Sequence, residues 1–320
     1  METGGAGSFG TAAYGGAGWS PREAAHAEEI GRLWARCGIA DECSPLEAVL
    51  LRAPGPELAV AEADAAQYLE APDPEAAAAE HAAMAEAYRA AGVRVLDVPD
   101  TLVPTPNRMF CADLFAMTPE GAILARPAST VRAGEEVQVA AALAAAGVPI
   151  LATLTGRATF EGADLLWLDR ETALLGLGLR TNDAAARQIG EVLARIGARL
   201  VPCDMPAGTM HLMGLLRILD RDLALAWPRR TPLRAVEALR AAGYAVAFLP
   251  EAVAREAETA KGFNMVTLAP RRVLMPAGNP ATRAWLEGMG VAVRETPTVE
   301  LGKAAGAVGC LTGVVARRWD

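Results

Sequence analysis

A phrase that recurs about every fifty residues is the feature that most constrains the fold of this chain. An alanine-rich run of helical character leads to a glycine, and a stretch rich in Val, Ile and Leu follows it, which favours a strand. A glycine directly after a helix can take the left-handed conformation that ends the helix. The unit is therefore helix, glycine, strand, and its five copies pivot on Gly92, Gly147, Gly197, Gly243 and Gly290.

A second phrase alternates with the first, and it consists of two apolar runs broken by a tight polar turn. This pattern is typical of a β-hairpin. Four copies have their turns near Pro119, Arg170, Arg221 and Arg271. We expect a fifth hairpin to be assembled from two distant pieces, residues 46–55 and the C-terminal run CLTGVVARR.

Five similar units, of which the first and last share a module, indicate radial closure, because a closed ring leaves few unpaired strand edges. We therefore predict an α/β fold in which five strand-hairpin-helix modules close into a ring, as a single domain over residues 21–320. A linear solenoid is the alternative, but its terminal repeats would need polar caps that the sequence does not show. Residues 1–20 are rich in glycine and are expected to form a flexible tail.

Composition narrows the partners of the chain. The 320-residue chain is 52% hydrophobic. Its formal net charge of −8 disfavours nucleic acid as a partner and favours a small molecule. No signal peptide or apolar stretch of membrane-spanning length is evident, so we expect a cytoplasmic protein without membrane contact. Five scattered cysteines without a CxxC pair, and three histidines without an HExxH motif, indicate no disulfide framework, no metal and no cofactor. A homodimer is left open.

Chemically active side chains occupy one phase of the repeat, just before the first strand of each hairpin. In a closed ring these positions would meet at one mouth of the axis. They are Asp113, Glu161, Asp164, His211, Asn264 and Cys310. A thiolate can attack a substrate, a histidine can activate it or shuttle protons, and a carboxylate can orient that histidine.

Each of these residues also has a purely structural explanation. A cysteine between small residues usually packs in a core, and an isolated aspartate usually closes a turn. Their shared phase in the repeat favours the catalytic interpretation. We therefore predict an enzyme with Cys310 as its nucleophile and His211 as its partner.

Four motifs carry a resemblance to a known family, in order between residues 45 and 318: PNRMFCAD, FEGADLLW followed by GLGLRTN, MHLMG, and GCLTG. They resemble the guanidino-group-modifying (pentein) superfamily of dimethylarginine dimethylaminohydrolases, arginine deiminases and amidinotransferases, whose fold is a five-fold pseudosymmetric α/β propeller. The resemblance implies that Cys310 attacks the guanidinium carbon and forms a covalent amidino intermediate. It implies that His211 protonates the leaving amine and then activates water, and that Glu161 hydrogen-bonds this histidine.

The same resemblance implies a substrate site. Asp113 matches the aspartate that holds the guanidinium nitrogens, and we group Asp164 with it. Arg132 and Arg180 fall nineteen residues after Asp113 and Glu161, where members that bind amino acids carry arginines for the substrate carboxylate. The remaining candidate is Asn107, which resembles a polar residue near the substrate α-amino group.

Departures from the family pattern bear on the substrate. Met213 stands where arginine deiminases carry an aspartate that clamps the guanidinium, and Ala112, Ala163 and Ala305 replace other typical residues. A less acidic pocket can accept an alkylated nitrogen, which has fewer donors to satisfy. We expect a hydrolase that cleaves a C–N bond of a methylated arginine or an arginine-like compound, giving a ureido product such as citrulline and an amine. An amidinotransferase and a catalytically idle binding protein are the alternatives.

Overall fold

The computed structural model describes residues 10–60, 62–99 and 105–318. The described strands are β1 Leu46–Leu51, β2 Arg94–Asp97, β3 Phe115–Thr118, β4 Gly121–Leu124, β5 Ile150–Thr153, β6 Leu165–Asp169, β7 Thr172–Leu177, β8 Arg199–Asp204, β9 Leu216–Asp220, β10 Leu223–Ala226, β11 Ala245–Phe248, β12 Val266–Ala269, β13 Arg272–Pro276, β14 Ala292–Thr296 and β15 Gly313–Arg317. The described α-helices are α1 His26–Glu29, α2 Glu57–Val60, α3 Ala63–Ala66, α4 Pro74–Ala90, α5 Glu135–Ala145, α6 Asp183–Arg195, α7 Leu233–Ala241, α8 Glu251–Thr259, α9 Pro280–Gly288, α10 Val299–Lys303 and α11 Val308–Leu311.

These strands form five three-stranded sheets of the same design. In each sheet two strands pair as an antiparallel hairpin, and the chain then crosses over a helix and returns as a third strand parallel to the middle one. The middle strands β4, β7 and β10 are almost wholly buried, which suits their continuous apolar sequences. The four predicted hairpins are confirmed by this pairing.

The predicted fifth hairpin is also confirmed, and it joins the two ends of the chain. Strand β1 pairs antiparallel with β15 and parallel with β2. We number the sheets in chain order, with β15-β1-β2 as the first and β12-β13-β14 as the fifth. The first sheet is therefore complete only when the last strand of the chain is present.

Each sheet contacts its neighbours in chain order, and the fifth contacts the first. Strand β15 lies against β3, β12 lies against β9, and β1 lies against β12. Short 3₁₀ turns that precede β3, β6 and β9 also touch from one sheet to the next. The described strands keep to their own sheets and do not join into one closed barrel.

The helices begin and end as the repeat predicts. The side chain of Asn182 accepts a hydrogen bond from the Ala185 amide at the start of α6, and the helix buries Ile189, Val192 and Leu193. The five pivot glycines all adopt the left-handed conformation after their helices, with φ between 75° for Gly147 and 90° for Gly243. This conformation is the one that glycine adopts without a steric penalty.

Of the predicted tail, residues 10–20 are described, and they carry a short 3₁₀ turn at Ala12–Tyr14. The remainder of the predicted tail, residues 1–9, lies outside the described residues. In the described part of the chain, no helix combines the length and the apolar character that crossing a membrane requires.

Candidate active site

The polar residues of the site lie on short turns just before the first strand of their sheets, β3, β6 and β9. Asp113 ends the 3₁₀ turn before β3, Asp164 ends the equivalent turn before β6, and His211 starts the turn before β9. Cys310 lies in α11, directly before β15. The turns carrying Asp113 and Asp164 contact each other, and α11 contacts the turn carrying Asp113. The repeat phase therefore corresponds to a real clustering of these turns.

A glycine, Gly162, permits the close approach of the turn before β3 and the turn before β6. A Cβ atom added to Gly162 would overlap the carbonyl oxygen of Phe115 and would lie 2.6 Å from that of Ala112. Both obstacles are backbone atoms, which cannot rotate away. The sequence EGAD thus has a glycine where the two turns touch.

The histidine and two carboxylates form a buried charged group. His211 Nε2 lies 2.6 Å from Glu161 Oε2, and His211 Nδ1 lies 3.8 Å from Asp113 Oδ1. Burial by itself would lower the pKa of His211, but Asp113 and the hydrogen bond to Glu161 outweigh it and raise that pKa to about 9. Burial opposes the charge of Glu161 as well, yet His211 and the nearby arginines hold its pKa at about 2. The pair is therefore an imidazolium and a carboxylate at neutral pH.

Two arginines complete this group. Arg132 Nη1 donates to Asp113 Oδ2 at 2.6 Å, and Arg132 Nε donates to Glu135 Oε2 at 2.8 Å. Arg180 Nη1 lies 3.2 Å from Glu161 Oε1. Both predicted arginines therefore reach the site, where they bind its carboxylates and line the neighbouring cavity.

Cys310 is held by an asparagine from the fifth module. Asn264 Nδ2 donates to Cys310 Sγ at 2.9 Å, and Asn264 Oδ1 accepts from the Cys310 amide at 3.1 Å. Burial and the charge of Asp113 raise the pKa of the Cys310 thiol, while Asn264 and Arg217 act in the opposite direction. Among the five cysteines this one is half-buried and the other four are buried.

A cavity is lined by both Cys310 and Asp113. This Cys310 cavity is narrow, with a volume of about 30 Å³. Its lining residues are Gln67, Asn107, Phe110, Asp113, Arg132, Arg180, Met210, Ala304, Ala305, Gly306 and Cys310. One of these residues, Asp113, has a buried oxygen, Oδ1, with no hydrogen-bond partner among the described residues, and His211 Nδ1 lies 3.8 Å from it. Such an oxygen is suited to receive an N–H group of a ligand.

Two predicted binding residues, Asn107 and Asp164, are placed differently from each other. Asn107 lines the Cys310 cavity, although its Nδ2 donates to the Ala66 carbonyl at 2.7 Å. Asp164 is not among the lining residues, because its two oxygens accept hydrogen bonds from the Leu212 amide at 2.9 Å and the Thr181 hydroxyl at 2.6 Å. Burial raises the pKa of Asp164 to about 6. Its contacts anchor the turn that carries His211.

Met213 lines a second cavity, which also includes Arg217 and Gly309 and which we call the Arg217 cavity. It is not among the residues that line the Cys310 cavity. The side chain two residues after His211 therefore points to a different space from the one that holds Asp113 Oδ1. Met213 therefore does not determine the acidity of the Cys310 cavity, in which Asp113 is the carboxylate among the described lining residues.

Sequence reasoning missed Glu135, which is fully buried and pairs with Arg132. Burial raises the pKa of Glu135 to about 7 against the opposing effect of Arg132. Its spacing of three residues from Arg132, at the start of a helix, was an available signal. Asn264 was visible through its phase in the repeat, but its bond to the thiol was not.

The atoms of Asp113, Glu161 and His211 lie within 4.8 Å of one another, a spacing that a metal ion could use. The surrounding charges do not fit this use. Two guanidinium groups already occupy oxygens of the carboxylates, and His211 Nε2 is engaged by Glu161. A metal would have to displace these contacts, so we assign the group to hydrogen bonding.

Comparison with known proteins identifies relatives of this arrangement. The family described as N,N dimethylarginine dimethylhydrolase, eukaryotic, matches residues 64–225. An N(G),N(G)-dimethylarginine dimethylaminohydrolase of Streptomyces coelicolor is 28% identical over 230 residues, which cover 72% of this chain and 81% of the relative.

Solved structures extend the likeness of the fold. The Pseudomonas aeruginosa dimethylarginine dimethylaminohydrolase, as a cysteine-to-serine mutant complexed with citrulline, has a TM-score of 0.70 at 23% identity, covering 86% of this chain and all of its own. An inosamine-phosphate amidinotransferase from Streptomyces griseus has a TM-score of 0.70 at 16% identity, covering 89% of this chain and 98% of its own. At these identities the structures show a common α/β fold.

Proposed function

Because this chain belongs to the N,N dimethylarginine dimethylhydrolase family, we propose that it cleaves a C–N bond of a methylated arginine, giving citrulline and a methylated amine. The chain is a hydrolase of linear amidines by its family and its Streptomyces relative. The observation that carries the choice of site is the buried, unpartnered Asp113 Oδ1 in the same cavity as the Cys310 thiol. A guanidinium bound to this oxygen would bring its carbon into the space beside the sulfur.

Charge supports a cationic substrate. The thiol pKa is raised by burial and by Asp113, so Cys310 is mainly protonated in the empty site. A guanidinium bound at Asp113 neutralises that carboxylate and brings a positive charge next to the sulfur, which favours the thiolate. Substrate binding thus generates the thiolate, and the thiol proton leaves to solvent because His211 is already protonated.

The reaction then proceeds in two displacements. Cys310 Sγ attacks the guanidinium carbon, the bond from that carbon to the methylated nitrogen breaks, and the leaving amine takes a proton from the His211 imidazolium. The carbon is left bound to sulfur as an amidino thioether. Water gives a proton to the now neutral His211 and attacks the same carbon, the C–S bond breaks, and a ureido product leaves.

We propose supporting roles for the neighbouring residues within this scheme. Glu161 holds His211 Nε2 at 2.6 Å, so the Nδ1 atom that faces Asp113 is the one available for proton transfer. Arg132 orients Asp113, and Arg180 lies at the cavity beside Glu161. Asn107 and Arg180 are our candidates for the amino-acid end of the substrate.

The proposed architecture is a five-fold propeller, supported by the contact of the fifth sheet with the first.

An amidinotransferase is the second candidate, because a structure with that activity shares the fold at a TM-score of 0.70. It would use the same covalent intermediate and pass it to an amine instead of water. Hydrolysis is favoured because the family match and the Streptomyces relative are both dimethylarginine hydrolases by description.

One assay separates these functions. The protein is incubated with a methylated arginine, with arginine, and with arginine plus an acceptor amine, and ureido and new guanidino products are measured. We expect ureido product from the methylated arginine above all. A new guanidino compound without ureido product would establish transfer, and no product from any mixture would contradict both functions. The Cys310→Ser variant, expected to lose roughly 10³-fold or more in kcat, is the control for the assigned nucleophile.

A further inference from the structure

A buried arginine from the fourth sheet packs against the backbone that carries the nucleophile. Arg217, on β9, is 8% exposed and donates through Nε to the Phe263 carbonyl at 3.2 Å. A Cβ atom added to Gly309 would lie 2.7 Å from Arg217 Nη2, so the guanidinium rests on the residue directly before Cys310. Arg217 and Gly309 line the Arg217 cavity, whereas the thiol faces the Cys310 cavity.

This guanidinium lacks a full set of partners. Arg217 Nη2 has no hydrogen-bond acceptor among the described residues. A buried cation is costly unless an opposite charge lies nearby. The groups that interact with it electrostatically are Cys310, Glu42 and Tyr88.

Neither Glu42 nor Tyr88 is a strong counter-charge for the Arg217 guanidinium. Glu42 is itself destabilised as an anion, because burial raises its pKa, and its Oε1 accepts from the Trp167 amide at 3.0 Å. Tyr88 is neutral at ordinary pH, since burial raises the pKa of its hydroxyl well above the usual range. A thiolate at Cys310 is the remaining anion that could face Arg217.

We propose that Arg217 is a positioning residue that stabilises the thiolate of Cys310. Its guanidinium lies against the Gly309 backbone, on the side opposite the Cys310 cavity. The proposal rests on the proposed function, in which Cys310 is the nucleophile. Asp113 disfavours the thiolate until a cationic substrate neutralises it, and Arg217 favours the thiolate throughout the cycle. Gly309 is required by this arrangement, because any side chain there would displace the guanidinium.

The test measures the rate at which iodoacetamide alkylates Cys310 as a function of pH, by peptide mapping, in the wild type and in Arg217→Met. The four other cysteines report separately, since they are buried and burial raises the pKa of Cys37 and Cys203 to about 11. We expect the alkylation midpoint to rise by about one pH unit or more in Arg217→Met. We also expect kcat for the guanidino substrate to fall with little change in KM, and Arg217→Lys to recover part of both effects.

Arg317→Met is the matched control. Arg317 is buried and lines the same cavity, but its Nη1 donates to the Ser44 carbonyl at 2.7 Å, whereas Arg217 is the arginine that lies against Gly309. Its alkylation midpoint should equal that of the wild type. Circular dichroism establishes that each variant is folded. If Arg217→Met does not fold, Arg217→Gln replaces it, because glutamine keeps a donor for the Phe263 carbonyl.

An unchanged midpoint in a folded neutral variant of Arg217 would overturn the proposal, as would an equal shift in Arg317→Met. The result is independent of turnover, because alkylation requires no substrate. A wild-type protein that processes no guanidino compound but shows the Arg217 effect on its thiol would contradict the proposed function and leave the role of Arg217 intact.

Discussion

At the scale of single residues, the site balances buried charges of both signs. Asp113, Glu135 and Glu161 face Arg132, Arg180 and the imidazolium of His211, all within a few ångströms. Buried ion pairs of this kind add little net stability, because desolvation offsets their attraction, but breaking one leaves an uncompensated charge. The group is therefore better explained by its chemistry than by stability.

The pH dependence of stability follows from His211. Its pKa in the folded protein is about 9, above the ordinary value of 6.5, so its contribution is fully present below pH 6.5 and is lost as the pH rises through 9. We expect the difference in unfolding free energy between wild type and His211→Gln to shrink by about 2 to 3 kcal/mol between pH 6 and pH 10. Urea unfolding at a series of pH values measures it. A difference that stays constant, or grows, with pH would show that His211 is not charged in the folded protein.

The sequence located Cys310, His211, Glu161 and Asp113 because they share one phase of a repeat, and position within a repeat is a local property. It could not assign partners to these side chains. Whether Arg132 binds a substrate or Asp113, and whether Met213 faces one cavity or another, depends on the angles between sheets. Those angles come from packing over the whole molecule and leave no periodic signal.

At the scale of elements, the turns before β3 and β6 approach each other more closely than a side chain at Gly162 would allow. We expect Gly162→Ala to destabilise the protein by about 3 kcal/mol or more, because the new methyl group would overlap backbone carbonyls of the neighbouring module. Activity should fall with it, since the turn also positions Glu161. Denaturant unfolding and steady-state kinetics of the variant provide the measurement.

Gly190→Ala is the control for that change. Gly190 lies inside α6, and a Cβ atom there would meet no other atom within 4 Å. Alanine is the better helix former, so this variant should gain about 0.5 to 1 kcal/mol. Equal stabilities for the two variants would mean that the turns are not in tight contact.

The elements themselves were accessible from the sequence. Hairpins and helices of this chain follow local patterns of apolar residues, turn residues and caps, as Asn182 at the start of α6 illustrates. The pairing of β1 with β15 was predictable only because the repeat was incomplete at both ends. The short turns that carry the active residues have no pattern of their own, and their conformation depends on the strands that follow.

At the scale of the whole molecule, stability depends on the junction of the two chain ends. A chain that stops after Thr312 lacks β15 and leaves β1 without its antiparallel partner. We expect this truncated chain to lose its cooperative unfolding transition, whereas a chain that ends at Arg318 should melt like the full protein. Thermal unfolding followed by circular dichroism compares them. A truncated protein with an unaltered melting transition would show that the first sheet is dispensable.

The same junction sets an order of events during protein synthesis. The ribosome delivers Asp113, Glu161 and His211 well before Cys310, and it delivers β15, the strand that completes the first sheet, after the thiol. A growing chain can therefore hold its acid and base groups in place without a positioned sulfur. The Cys310 thiol therefore acquires its full surroundings only after β15 has been made and has paired with β1.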